Sequence, residues 1–187
     1  HAHAHAHAHA HTTAQREREQ EREEVRAEIR ALQFPMVCKG RRLLLHSLGD
    51  RRGGWGMGSM MHELTLALSE AVRLGRTLVL PTDDQWWYAA EGCRPKGFGC
   101  YFEPLSSCAE DDSTDVIHSN ALMQQQHQQA RHASMQWLPR AWRLRGKSLL
   151  WWRAHLLAFA WRPLAHVRAH IESRRTHLSW PRGSSLA

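Results

Sequence analysis

Gly53-Gly54-Trp55-Gly56-Met57-Gly58-Ser59-Met60-Met61-His62 is the stretch on which the reading of this chain turns. It follows a short apolar run, Leu43-Leu44-Leu45, and precedes a segment with helical periodicity. A second apolar run, Thr77-Leu78-Val79-Leu80-Pro81, comes next. Strand, glycine loop, helix and strand is the unit that cradles phosphates in nucleotide-binding α/β domains. The pattern predicts a strand over residues 43–48, buried on both faces because it is apolar throughout. From residue 59 to 74, Met61, Leu64, Leu68, Ala71 and Val72 fall on one helical face. Ser59 is the expected N-cap and Gly75 the expected C′ glycine. A helix of that length makes the strands at 43–48 and 77–81 parallel, with a right-handed crossover. The fold class expected is therefore α/β.

The loop offers backbone N–H groups and a helix N-terminus to an anion. Glycines at 54, 56 and 58 permit positive φ and close backbone approach. Their spacing is GxGxG rather than GxGxxG, and only Asp83 or Asp84 stands where a ribose-binding acid is usual. The plainer reading is a tight turn between strand and helix. His62, in the first turns of the helix, is either a neutral donor aimed at a ligand or a satisfied surface group. Trp86, Trp87 and Tyr88 form an aromatic cluster that stacks on a base or sugar, or packs at the sheet edge. One of the two tryptophans is expected to be core. No Ser-His-Asp or Cys-His arrangement and no carboxylate pair stands out.

Composition narrows the classes. The 187 residues suit one domain. Net charge is +7, almost all of it from arginine, with Lys39, Lys96 and Lys147 the sole lysines. The arginines are scattered among abundant Ala and His, which favours compositional bias over a nucleic-acid footprint. The four cysteines, Cys38, Cys93, Cys100 and Cys108, form no CxxC pair, which disfavours a zinc ribbon. Four can pair fully in an oxidising compartment or stay reduced in the cytosol; the count leaves both readings open. The most apolar segment, 149–161, is interrupted by Arg153 and His155 and is too short to span a bilayer. A targeting segment or membrane anchor would lie outside this sequence.

The ends look unlike core. Residues 1–13 are a low-complexity His/Ala tract, read as a tag-like segment with no bearing on the fold. Thr12 or Thr13 is an expected cap for a charged helix at 14–34, in which Val25, Ile29 and Leu32 form the one apolar stripe. That helix is a solvated single helix or a coiled-coil stem capable of self-association. Phe34-Pro35 ends it. The main body is expected over 35–175 and a disordered tail over 176–187. Residues 109–115 look acidic and irregular, and 123–136 are glutamine-rich. Residues 149–161 read as a helix with a broad apolar face. Pro163 fits the first turn of another, with Leu164, Val167 and Ile171 facing the core.

At this point a family resemblance is visible. Gly54-Trp-Gly56-Met-Gly58-Ser-Met-Met-His62 resembles the glycine loop of the α-1,6-fucosyltransferases and the related bacterial nodulation fucosyltransferases. Arg76-Thr77-Leu78-Val79-Leu80 is similar to their second strand, and Trp87-Tyr88 to a shortened W-x-x-Y segment. Phe102-Glu-Pro104-Leu-Ser106-Ser-Cys108 resembles their F-x-P-x-S segment running into a cysteine. Trp151-Trp152, Phe159 and Arg162-Pro163 resemble a later W-W and R-P stretch. The five pieces occur in family order and cover about residues 38–171, with a poor match between 109 and 147.

The resemblance implies a Rossmann-like N-terminal half of a GT-B-type glycosyltransferase, acting in the Golgi or secretory lumen. It implies transfer of fucose from GDP-fucose to a glycan or glycoprotein acceptor, with no metal and no other cofactor. It places Met57, Gly58 and Tyr88 beside the donor nucleotide, and with Gly54, Gly56 and His62 of the glycine loop and helix start these are the candidate donor-site residues. It also implies a Cys38–Cys108 disulfide, which leaves Cys93–Cys100 as a local pair. The family's H-x-R-R-T-D-K donor segment has no equivalent here; Arg174-Arg175-Thr176-His177 echoes it without the strand or the Asp. The expectation is an incomplete, inactive half whose catalytic residues are unassigned. The rival readings are a non-catalytic glycan-binding or interaction module and an unrelated Rossmann-like nucleotide binder such as a methyltransferase.

Overall fold

The computed structural model describes residues 2–48, 56–82, 85–119 and 138–177. Three short strands, β1 (Leu43–Leu45), β2 (Thr77–Val79) and β3 (Val116–His118), form one sheet in the order β2-β1-β3. Both pairings are parallel, with Leu44 opposite Leu78 and Ile117. The expected parallel β1–β2 pair is present, and helix α2 (Met57–Leu74) is its connection. The strands are shorter than the apolar runs suggested, since each stops where the ladder ends rather than where hydrophobicity does. β3 was not legible beforehand, because Val116-Ile117 is too short a run to separate from loop.

α2 starts two residues before the expected cap. Gly56 is the N-cap, extended at φ −67° and ψ 158°, and makes no side-chain cap. Ser59 lies inside the first turn, where its N–H donates to the Gly56 carbonyl at 3.0 Å. The C-terminus is as expected: Gly75 is left-handed at φ 62° and ψ 39°, and its neighbour's amide, Arg76 N–H, donates to the Ala71 carbonyl at 2.8 Å. Met61, Leu64, Leu68 and Ala71 are buried, with Val72 at the rim.

Helix α1 runs unbroken from Ala2 to Gln33, through the His/Ala tract and past both threonines, so neither caps it. Alternating alanine favours helix strongly enough to extend it. The solvated-helix and coiled-coil readings are corrected by burial. Val25 and Ile29 are fully inside the main core, and α1 packs on both β2 and helix α4 (Leu149–Ala160). Polar contacts hold the docking. Glu28 accepts from Trp142 Nε1 at 2.6 Å and pairs with Arg145, while Glu21 pairs with Lys147 at 2.6 Å. Trp142 belongs to the short helix α3 (Arg140–Arg143) and stacks on Trp152 of α4 at 4.3 Å.

The sheet separates two clusters. Leu44 and Leu78 join α1, α2 and α4 in the main core, whereas Leu43, Leu45 and Val79 pack with Cys108. Both disulfides that the resemblance implied are present: Cys38–Cys108, with Cα atoms 5.3 Å apart, and Cys93–Cys100, at 6.0 Å. At the N-terminal end of the sheet, buried Arg76 donates to the carbonyls of Leu43 (3.0 Å) and Asp115 (3.1 Å) and pairs with the Asp115 carboxylate at 2.8 Å. One side chain thus ties all three strand entries together. Helix α5 (Ala165–His177) corrects two expectations. Pro163 precedes it and bridges Phe102 instead of opening the first turn. Ile171 is 46% exposed, so the α5 apolar stripe is not core.

Candidate functional site

In open parallel sheets, ligands sit beyond the carboxyl ends of the strands, where the connections diverge to opposite sides. Here β1 leads through α2 to β2 on one side, and the chain then crosses to β3 on the other. The divergence point lies between β1 and β3. His46, immediately after β1, and Ser119, immediately after β3, meet there: His46 Nδ1 lies 2.7 Å from Ser119 Oγ, and both residues are buried. Neither residue stood out in the sequence. The one available signal was a histidine ending an apolar run, and Ser119 lies 73 residues away.

The N-terminus of α2 faces the same end of the sheet, as it must when a helix follows a strand in a parallel crossover. The amides of Met57 and Gly58 lie in the first turn, where an α-helix has no internal acceptor for them. Gly56 is exposed, Met57 half-buried and Gly58 exposed. Neither Gly56 nor Gly58 uses the positive φ that glycine permits. Gly56 is at φ −67°, and among the described residues the left-handed glycines are Gly40, Gly75 and Gly146. A β-carbon at Gly56 or Gly58 would meet no heavy atom within 4 Å, so the protein's own packing does not demand glycine there. His62 lies one turn further along and is exposed. Gly54, Asp83, Asp84 and the glutamine-rich 123–136 segment lie outside the described residues.

Tyr88 lies on the loop that follows β2. After β2, Trp86 is buried against Tyr88 (5.8 Å), Phe98 (5.8 Å), Tyr101 (6.1 Å) and Phe102 (6.1 Å). The alternative left by the sequence is resolved: Trp86 is core, and Trp87 is exposed. Met57 and Tyr88 both pack against the edge of the main core. The structure therefore groups Gly56, Met57, Gly58 and His62 on one helix start and sets Tyr88 on a loop that leaves the same end of the sheet.

A cavity of about 290 Å³ lies beside β2. Its lining includes Val79, Leu80, Thr82, Arg94, Pro95 and Leu105. Arg174 and Arg175 lie in α5, within a helix rather than at a strand end. Among the described residues no helix is long and apolar enough to cross a membrane.

A family model described as alpha-(1,6)-fucosyltransferase N- and catalytic domains matches residues 3–183. The chain belongs to this fucosyltransferase family. No curated protein matches it at a significant level.

Proposed function

We propose that this chain forms one wall of the donor cleft of a GT-B-type glycosyltransferase that moves fucose from GDP-fucose to a glycan acceptor. The observation that carries the reading is the position of the α2 start, Gly56 to Gly58, at the carboxyl end of a parallel sheet in a member of the fucosyltransferase family. First-turn amides and the positive end of the helix dipole favour a diphosphate. Among the described residues, nothing lies within 4 Å of a β-carbon built on Gly56 or Gly58. His62 supplies a polar group one turn along, and Tyr88 a ring for the nucleoside side. No metal is required by these residues. Two disulfides favour an oxidising compartment such as the secretory lumen.

Helix amides alone give a weak diphosphate site; strong ones add arginine forks. Arg174 and Arg175 are on α5, where they do not form a strand-end clamp. We infer that the described residues by themselves hold the nucleotide weakly and do not turn it over. Isothermal titration of the disulfide-intact chain with GDP and GDP-fucose tests this. Absent or millimolar binding agrees with a single wall. Micromolar affinity would sink the one-wall reading and point to a complete site.

A further inference from the structure

Helix α5 carries a stripe of histidines on its solvent side. His166, His170 and His177 stand at i, i+4 and i+11, so the helical repeat sets all three on one face. All three are exposed. Val167 and Arg175 are half-buried and mark the side on which α5 rests. Among the described residues neither His166 nor His170 has a hydrogen-bond or ion-pair partner. Histidine is also a poorer helix former than alanine, so the helix itself does not call for two of them one turn apart.

The backbone beneath the pair is fixed. Leu164 N–H donates to the Tyr101 carbonyl at 2.8 Å, and Arg168 N–H to the Leu164 carbonyl at 2.9 Å. Pro163 bridges Phe102, and the Arg168 guanidinium pairs with Glu103 at 3.7 Å. The first turn of α5, which carries His166, is thus tied to the 101–103 segment. His170 follows one turn on in unbroken helix.

Residues four apart on a helix have β-carbons about 5–6 Å apart. At that spacing one ring nitrogen from each imidazole can reach a single ion, as the i, i+4 histidines of the H-E-x-x-H motif do with zinc. Imidazole suits zinc, copper and nickel, whereas carboxylate and carbonyl oxygens suit magnesium and calcium. Among the described residues no group of three His, Cys, Asp or Glu ligand atoms includes either histidine. The pair therefore supplies two ligands and leaves the other positions to water, an open site rather than a closed structural one.

We propose that His166 and His170 form a surface site for a divalent transition ion of the zinc and copper class, bound through one nitrogen of each ring. The ion would clamp consecutive turns of α5, where Ile171 is left exposed, and so stabilise the helix by mass action. The site uses none of the residues assigned to the donor cleft.

The test is a Zn²⁺ titration of the intact, disulfide-bonded chain at about pH 7.5, above the usual range for imidazole protonation. Imidazole ¹H–¹⁵N NMR gives a residue-resolved readout, which separates this pair from the histidines of the 1–11 tract. The His166 and His170 resonances should shift together along one saturable curve, and the α5 amides should exchange more slowly. Mg²⁺ should do neither. His166→Gln and His170→Gln should each weaken binding at the remaining histidine by roughly tenfold or more, since even a lost outer-shell partner costs that much. His177→Gln should leave the pair unaffected. All three positions are exposed, so each variant keeps the fold. Zinc shifts confined to the 1–11 tract, full-strength binding in either single variant, an equal loss in His177→Gln, or the same shifts with Mg²⁺ would each overturn the proposal.

Discussion

The side-chain carbonyl of Gln33 accepts a hydrogen bond from the backbone N–H of Leu78 at 3.0 Å. β2 is an edge strand of the described sheet, joined to β1 through Thr77 N–H and the Val79 carbonyl. The Leu78 amide points the other way, off the sheet. Gln33, the last residue of α1, is fully buried and takes the place of a missing strand, while Thr77 Oγ1 donates to the Leu32 carbonyl at 2.8 Å. Gln33→Leu keeps the volume but strands the Leu78 N–H in the core. It should cost about 1–3 kcal/mol, the penalty for an unsatisfied buried donor. Urea unfolding gives the loss, and hydrogen exchange should accelerate at Leu78 before it does at Leu44.

The disulfides should differ in weight. Cys38–Cys108 closes a separation of 70 residues and Cys93–Cys100 one of 7. On the chain-entropy model the first contributes about 4 kcal/mol and the second about 2. Paired Cys→Ser variants of each bridge, compared by denaturant titration, should rank in that order. Equal losses would show that native contacts outweigh loop entropy.

The docking of α1 hangs on Glu28, which links Trp142 Nε1 and Arg145 to the helix. Glu28→Ala leaves the indole N–H of a buried tryptophan without its acceptor and should cost about 1–3 kcal/mol. Glu28→Gln keeps an acceptor and should recover part of the loss. Limited proteolysis within residues 15–30 reads whether α1 loosens.

His155 is buried on α4 beside Trp151, with ring centroids 4.1 Å apart. Burial pushes its pKa below the usual histidine value, and Arg26 and Arg22 push the same way, against Glu21. The unfolded chain therefore takes up the proton first as pH falls. Stability from this residue is full above the unfolded value of about 6.5, declines as pH drops below it, and levels off beneath the depressed folded value. Urea midpoints measured from pH 7.5 to 5 should fall more steeply in the wild type than in His155→Phe.

The buried contact of His46 with Ser119 joins the exits of β1 and β3. Ser119→Ala should cost about 1 kcal/mol and Ser119→Thr less, by the usual worth of one hydrogen bond. A loss well above that range would mean that the contact orders more than its two residues. The ratio of the two variants, measured by thermal unfolding, decides it.

Much of the sheet was legible because a central parallel strand is apolar on both faces, and Leu43-Leu44-Leu45 and Thr77-Leu78-Val79 carry that mark. α2 was legible because its apolar stripe is long and Gly75 closes it. The α1 stripe was legible, but its burial was not. Val25 and Ile29 read alike on a solvated helix and on a docked one, and the difference lies in α3 and α4, more than a hundred residues on. The α5 stripe erred the other way: Val167 and Ile171 have helical spacing, yet Ile171 is left exposed. Of the candidate site, the helix start was read from the glycine pattern and Tyr88 from the resemblance. His46 and Ser119 were not, because a hydrogen bond across 73 residues leaves no local pattern.

By itself the sequence determined what depends on neighbours along the chain. It set the apolar runs that become β1 and β2, the helical face of α2, the stop at Phe34-Pro35 and the glycine-led start of a helix. Tertiary structure decided everything that needs two distant segments to meet. It chose Trp86 over Trp87 for the core, closed the edge of β2 with Gln33 and tied the strand entries through Arg76. It also found no steric need for glycine at Gly56 and Gly58. Local preference follows from backbone geometry a few residues long, whereas burial and satisfied hydrogen bonds are settled by which surfaces the whole chain brings together.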